Sequence, residues 1–185
     1  MAARPSAQRH GTGAAAFARR FDAFCGRLNL VVEVVIGLLL GAAIIVALLQ
    51  VVFRYGLNSS LSWSEELARY LFIWIIFLGT SSAARRGQHM AVETLASVLP
   101  AVALRPLTTL VIMVSIVFYC VVFYTAVILT ENAIPQLSTA LEISVAIVYV
   151  SAPIGAALTI IHLINGLVQI AAGRQAVVTT VTDIS

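Results

Sequence analysis

The sequence contains no lysine: all 11 of its basic residues are arginine, set against eight acidic ones, for a formal charge of +3. So small and dispersed a charge excludes a nucleic-acid-binding face. Charge of either sign is scarce, at 10% of residues against about a quarter in an ordinary soluble domain. Cysteine is nearly absent. Cys25 and Cys120 lie far apart in no metal-binding or C-x-x-C spacing, and they read as free thiols that pack as small apolar side chains. There is no glycine-rich phosphate loop, no nucleophile beside a base and no His/Cys/acid cluster. Enzymatic chemistry therefore has no visible seat, and no cofactor or metal is expected.

What the chain has is hydrophobicity: 61% of 185 residues, with a mean hydropathy of +1.01. That composition predicts an all-α integral membrane protein. A helix needs roughly 20 apolar residues to cross a hydrocarbon core of ~30 Å, and four stretches qualify, at about 30–53, 65–84, 107–129 and 143–172. The second begins among charges. The fourth is long enough that it must tilt, kink or protrude, and Pro153-Ile154-Gly155 predicts the kink. Pro106 suits the first turn of the third span. Between the second and third spans, Val92, Leu95, Ala96, Leu99 and Val102 recur at helical spacing. They predict a short amphipathic interfacial helix that Pro100 ends.

The chain divides into an arginine-rich segment at 1–28, a four-helix membrane domain at 29–173 and a tail at 174–185. The first part, to about Ala16, is rich in Ala, Gly and Arg and is expected to be disordered. The apolar run from Leu30 is longer than a signal-peptide core and lacks a cleavage site, so it is expected to remain as the first span. Five arginines precede it. Arg85, Arg86 and Arg105 lie between the second and third spans, Arg174 follows the fourth, and 130–142 has no basic residue. This asymmetry predicts cytoplasmic termini and a cytoplasmic middle loop, with Arg54 the one exception.

The densest polar feature is Ser62-Trp63-Ser64-Glu65-Glu66-Leu67-Ala68-Arg69, at the mouth of the second span. Its plain reading is a helix start. Ser62 and Glu65 form a capping-box pattern, both glutamates favour the positive end of the helix dipole, and Arg69 lies within reach of either. Trp63 and Tyr70 suit an interfacial aromatic belt. Charge at membrane depth is expensive, however, and its usual explanation is a function or a partner. Two carboxylates and one guanidinium leave a net negative charge unless Arg54 joins them. A contact with another subunit is the sharper reading.

Other polar residues say less. Glu33 lies near the cytoplasmic end of the first span, within reach of Arg27 or a partner. His162, beside Asn165 and Gln169, reads as interhelical glue rather than a ligand. His89 reads as a loop hydrogen-bonder, and Glu131 and Glu142 as solvated. Two rival functions remain at this level. A haem-bearing anchor of a respiratory enzyme would need buried histidine pairs, and a self-contained small exporter would need a mid-membrane carboxylate.

The run Phe53-Arg54-Tyr55, then Trp63-Ser64-Glu65-Glu66-Leu67-Ala68-Arg69, Trp74, Gly79, Arg85 and Gly87-Gln88-His89-Met90-Ala91-Val92-Glu93, resembles the small permease subunit of tripartite ATP-independent periplasmic (TRAP) transporters, dicarboxylate type. Pro153 and Gly155 resemble the family's Pro-x-Gly in the last helix. One departure stands out: Glu142-Ile143-Ser144 replaces the family's frequent Gly-Ile-Pro. The resemblance implies a scaffold in the bacterial inner membrane, in contact with lipid and in a stable heterodimer with a large permease. That permease would hold the substrate and sodium sites. A periplasmic binding protein, engaging transiently, would deliver an organic acid such as a dicarboxylate. Arg54, Trp63, Glu65, Glu66, Arg69, Trp74, Gly79, Arg85 and His89 are then expected to serve the subunit interface or its geometry.

Overall fold

The structure, a computed structural model, describes residues 11–59, 61–96 and 101–172. It consists of α1 (Gly11–Gly56), α2 (Ser62–Ala96), α3 (Ala101–Ala133), α4 (Ala146–Tyr149) and α5 (Ser151–Ala171). Four stretches are long and apolar enough to cross a membrane: Ala16–Gly56, Ser62–Gly87, Pro106–Ala133 and Ala146–Ala171. The chain is an all-α integral membrane protein, and its helices are apolar nearly all round, as lipid requires.

Helix α1 is already formed at Gly11, where disorder was expected; residues 1–10 lie outside the described part. Ala14, Ala15, Ala16, Arg19 and Arg20 are strong helix formers, and contacts with α5 hold the segment in place. At 1.5 Å per residue its 46 residues measure about 69 Å, more than twice the hydrocarbon core, so α1 must tilt or protrude. Asn58, with φ 52°, turns the chain after it, and the Ser59 N–H donates to the Phe53 carbonyl at 3.1 Å.

The stretch expected to form a separate interfacial helix is divided instead. Residues as far as Ala96 continue α2, and those from Ala101 belong to α3. Nothing between Gly87 and Ala96 interrupts a helix, because the next proline is Pro100; that residue lies outside the described part. Pro106 accordingly falls inside α3 rather than in its first turn.

The fourth span, α4 with α5, is the hub. It packs against α1, α2 and α3, whereas α1 and α3 do not touch among the described residues. In its most apolar stretch 44% of residues are buried, against 17%, 17% and 11% in the other three spans. Lipid offers no hydrophobic drive between helices, so close packing and hydrogen bonds must hold them. The buried face of α5 is accordingly rich in small residues, with Ser151, Ala152, Gly155, Ala156, Thr159 and Gly166 beside Pro153, His162, Leu163 and Asn165. At Gly155 a Cβ would meet the Phe77 carbonyl oxygen at 2.6 Å, so α2 lies on α5 at a distance only glycine permits. The helical interruption expected near Pro153 sits three residues earlier, at Val150. Pro153 has no N–H to offer the Tyr149 carbonyl, which divides α4 from α5 there.

Candidate functional site

The acidic pair at the start of α2 splits into two roles. Ser62 is itself the first helical residue, so the capping position falls to Leu61. The Leu61 carbonyl accepts the Ser64 hydroxyl at 2.7 Å. One helical step then separates the two glutamates by about 100°, and they face different surroundings.

Glu66 points inward, on the same side as Tyr70 and Trp74. The Tyr70 hydroxyl donates to its Oε1 at 2.6 Å. Its Oε2 accepts the backbone N–H groups of Ala140 at 2.9 Å and Leu141 at 3.2 Å. Those amides belong to the connection between α3 and α4, a narrow loop closed by Ser138 N–H to Ile143 O and Val145 N–H to Gln136 O, both at 2.9 Å. At its tip Glu142 takes φ 55°, a left-handed conformation that favours glycine. This is the position at which the family resemblance expects Gly. Ser144, standing where Pro is frequent, bonds through its hydroxyl to the Ile134 carbonyl at 2.9 Å and to the Ala146 amide at 3.3 Å, and so starts α4. Two turns down α2, the Trp74 indole N–H donates to the Ile147 carbonyl at 3.2 Å. Glu66 and Trp74 together fasten this loop and α4 onto α2.

Glu65 and Arg69 point outward and are 3.5 Å apart, with side chains 72% and 64% exposed. Phe72 and Ile76, both exposed, continue their face. Gly79 lies further along it, with nothing within 4 Å of where its Cβ would be. Arg54 is not among the partners of either glutamate; its guanidinium lies 5.9 Å from the centre of the Tyr55 ring. Trp63 is 36% exposed in the first turn of α2.

A second polar cluster joins α1, α2 and α5 at the other end. The Glu33 Oε1 accepts from Arg86 at 2.6 Å, Asn29 at 2.8 Å and Ser82 at 2.9 Å. Its pairing is thus within the chain, and with Arg86 rather than the expected Arg27. Arg85 lies 3.5 Å from Asp22, over Gly26. Asp22 also accepts from Asn165 at 3.0 Å, and Gln169 donates to the Ala18 carbonyl at 3.0 Å. His162 is buried nearby on α5. The backbone of His89 lies in α2, and its side chain lies outside the described residues.

Sequence reasoning singled out Glu66 but not its loop partners, and it missed Asp22. A weak signal existed. Glu66, Tyr70 and Trp74 recur every four residues on one face of α2, and Asp22 and Asn29 bracket Gly26 on α1. Among the described residues no group of three His, Cys, Asp or Glu is placed to hold a metal ion.

Residues 43–173 match the family described as tripartite ATP-independent periplasmic transporters, DctQ component. A stretch of 73 residues, 40% of this chain, is 42% identical to 45% of a protein of Haemophilus influenzae named as a TRAP transporter small permease. Over 140 residues, 75% of this chain, identity is 29% to the ectoine TRAP transporter small permease protein TeaB of Halomonas elongata, covering 71% of it. A third similarity, 39% over 51 residues and 28% of this chain, is to only 8% of the sialic acid TRAP transporter permease protein SiaT of Haemophilus influenzae. The chain thus spans less than half the length of the first and third of these relatives.

Proposed function

Because the chain belongs to the DctQ-component family of tripartite ATP-independent periplasmic transporters, a family of transport components and not of enzymes, we propose that it is the small membrane subunit that braces a large permease. The carrying observation is the family match over 43–173, which takes in three complete spans and the last part of the first. The larger partner is supported by the similarity to 8% of SiaT, in which a segment like this one lies within a much longer permease polypeptide. In this reading a periplasmic binding protein delivers the substrate, an organic acid, and a sodium gradient drives uptake through the large subunit. The relatives' names include both sialic acid and ectoine, so no single substrate is singled out. Both termini lie in the cytoplasm, which the arginine distribution supports.

Glu66 and Trp74 fix the outer loop, while Glu65, Arg69 and the face below them stay open to a partner. The test is reconstitution. Liposomes holding this chain alone should accumulate no substrate, and those holding it with the large permease and the binding protein should accumulate it when sodium is higher outside. Sodium-driven uptake by this chain alone refutes the scaffold role.

A further inference from the structure

The first turns of α1 carry a face that the bundle does not use. Phe17, Arg20, Phe24 and Arg27 follow one another at intervals of three and four residues, so they share one side of the helix. The opposite side, with Ala18, Cys25 and Asn29, is buried against the bundle. Phe17 and Phe24 are 62% and 57% exposed. Phe17 stacks on Phe21 with ring centres 6.1 Å apart, which holds its ring in place. Arg20 and Arg27 are exposed, and the ion pairs among the described residues involve Arg69, Arg85 and Arg86 instead.

This face stands clear of the hydrocarbon. Glu33 is level with Ser82 and Arg86, to which it bonds, and the apolar span of α2 ends at Gly87. Arg27, Phe24 and Phe17 precede Glu33 by 6, 9 and 16 residues, about 9, 14 and 24 Å further along the helix axis. Headgroups extend only about 5–8 Å beyond each side of the core, so acyl chains do not reach the two rings. The segment is also braced. Asn165 bonds to Asp22 and Gln169 to the Ala18 carbonyl, both at 3.0 Å, so α5 keeps it from folding down onto the membrane.

What covers the face has to bring carboxylates to two open guanidinium groups and apolar side chains to two rings. A second copy of the same face would set four arginines together. The chain itself cannot supply the carboxylates. Of its eight acidic residues, Asp22 and Glu33 pair with Arg85 and Arg86, and Glu65, Glu66, Glu131 and Glu142 lie at the other end of the bundle. Glu93 belongs to α2, which packs on the opposite side of α1, against Gly26. Asp183 alone is one carboxylate for two arginines. The cover is therefore another protein. A side face of a membrane-crossing helix looks along the membrane surface, toward a neighbour in the same bilayer.

We propose that this alternating Phe–Arg face docks an acidic segment of the large permease, with its carboxylates on Arg20 and Arg27 and its apolar side chains over Phe17 and Phe24. The proposal rests on the scaffold reading and adds to it a contact at the opposite end of the bundle from Glu65 and Arg69. Its side, the cytoplasmic one, follows from the orientation above; the docking itself does not depend on it.

The test uses the full chain and the large permease purified as a complex in a neutral detergent. Photoreactive benzoylphenylalanine in place of Phe24 should cross-link to the large permease, on a peptide that contains Asp or Glu. The Arg20→Gln/Arg27→Gln double variant should raise the Kd of the complex about tenfold and flatten its salt dependence, and Phe24→Ala should raise it about tenfold. The Arg20→Lys/Arg27→Lys variant should keep the salt dependence. These side chains are exposed, so the unfolding midpoint of the isolated chain should not move. Cross-links confined to this chain or to lipid overturn the proposal, as does a double glutamine variant that binds as the wild type does. Either result, with the wild-type complex intact, leaves the scaffold reading standing. Failure of the wild-type chain to form the complex overturns both.

Discussion

The Glu66 carboxylate and the Ala140 backbone N–H are 74 residues apart in the chain and 2.9 Å apart in space. One side chain at the mouth of the second span thereby sets the shape of the connection into the fourth. Glu66→Ala should free this loop. Amide exchange in 138–142 should accelerate while exchange in α5 stays as it was, and Glu66→Gln should fall between. Glu65→Ala should leave the loop protected. If both alanine variants exchange alike, the division of roles between the two glutamates is wrong.

Arg69 predicts the reverse pattern. Its pair with Glu65 is exposed, and such pairs contribute about 0–1 kcal/mol. Arg69→Ala should scarcely change the melting temperature of the isolated chain, yet it should reduce co-purification with the large permease or abolish uptake. Adding Glu65→Ala should restore part of the loss if the guanidinium and carboxylate act as a pair. Wild-type assembly and uptake in Arg69→Ala would mean that the pair only decorates the helix start.

Gly155 tests the approach of α5 to α2. A methyl group there has to displace the Phe77 backbone, and overpacking of this kind costs typically 1–3 kcal/mol. Gly155→Ala should lower thermal stability in detergent by that order, and Gly155→Leu should prevent assembly of the bundle. The same changes at Gly41, which has nothing within 4 Å, should be mild.

Glu142 is an opportunity for stabilisation. Its φ of 55° costs an L-residue about 1 kcal/mol. Glu142→Gly should raise stability by about 0.5–1 kcal/mol, read as a shift of the thermal unfolding midpoint, without loss of assembly. A destabilised variant would show that the Glu142 side chain has a role beyond the turn.

Orientation has its own check. Alkaline phosphatase fused after Gln136 should be active, and fused after His89 inactive. The opposite result would place the outer loop in the cytoplasm and invert every assignment of side.

The four spans were legible because membrane-length apolar runs leave little choice of structure. The charged segment was legible as a segment. Its division was not, because Glu65 and Glu66 both lie one turn from Arg69, and the deciding partners are backbone amides of a distant loop that no spacing rule reaches. Glu33 was read as a group at the membrane edge, since nothing local indicates that Ser82 and Arg86 would be laid against it by α2. The helix expected between the second and third spans was drawn too early, because amphipathic spacing marks a face but not where a helix begins. Glu142 was read as solvated; its departure from a familiar pattern was visible in the sequence, but the left-handed φ it takes was not.

The hub position of the last span also bears on how the protein is made. Ribosomes deliver the helices in order, so α1 and α2 can form their hairpin early, while α3 enters the bilayer before its main neighbour exists. Only when α4 and α5 arrive does α3 gain the surface it leans on. A chain stopped after Ala133 would therefore hold one paired hairpin and one nearly orphaned helix, a form that membrane quality control should recognise and remove. The bundle is complete only once the fourth span has entered the bilayer.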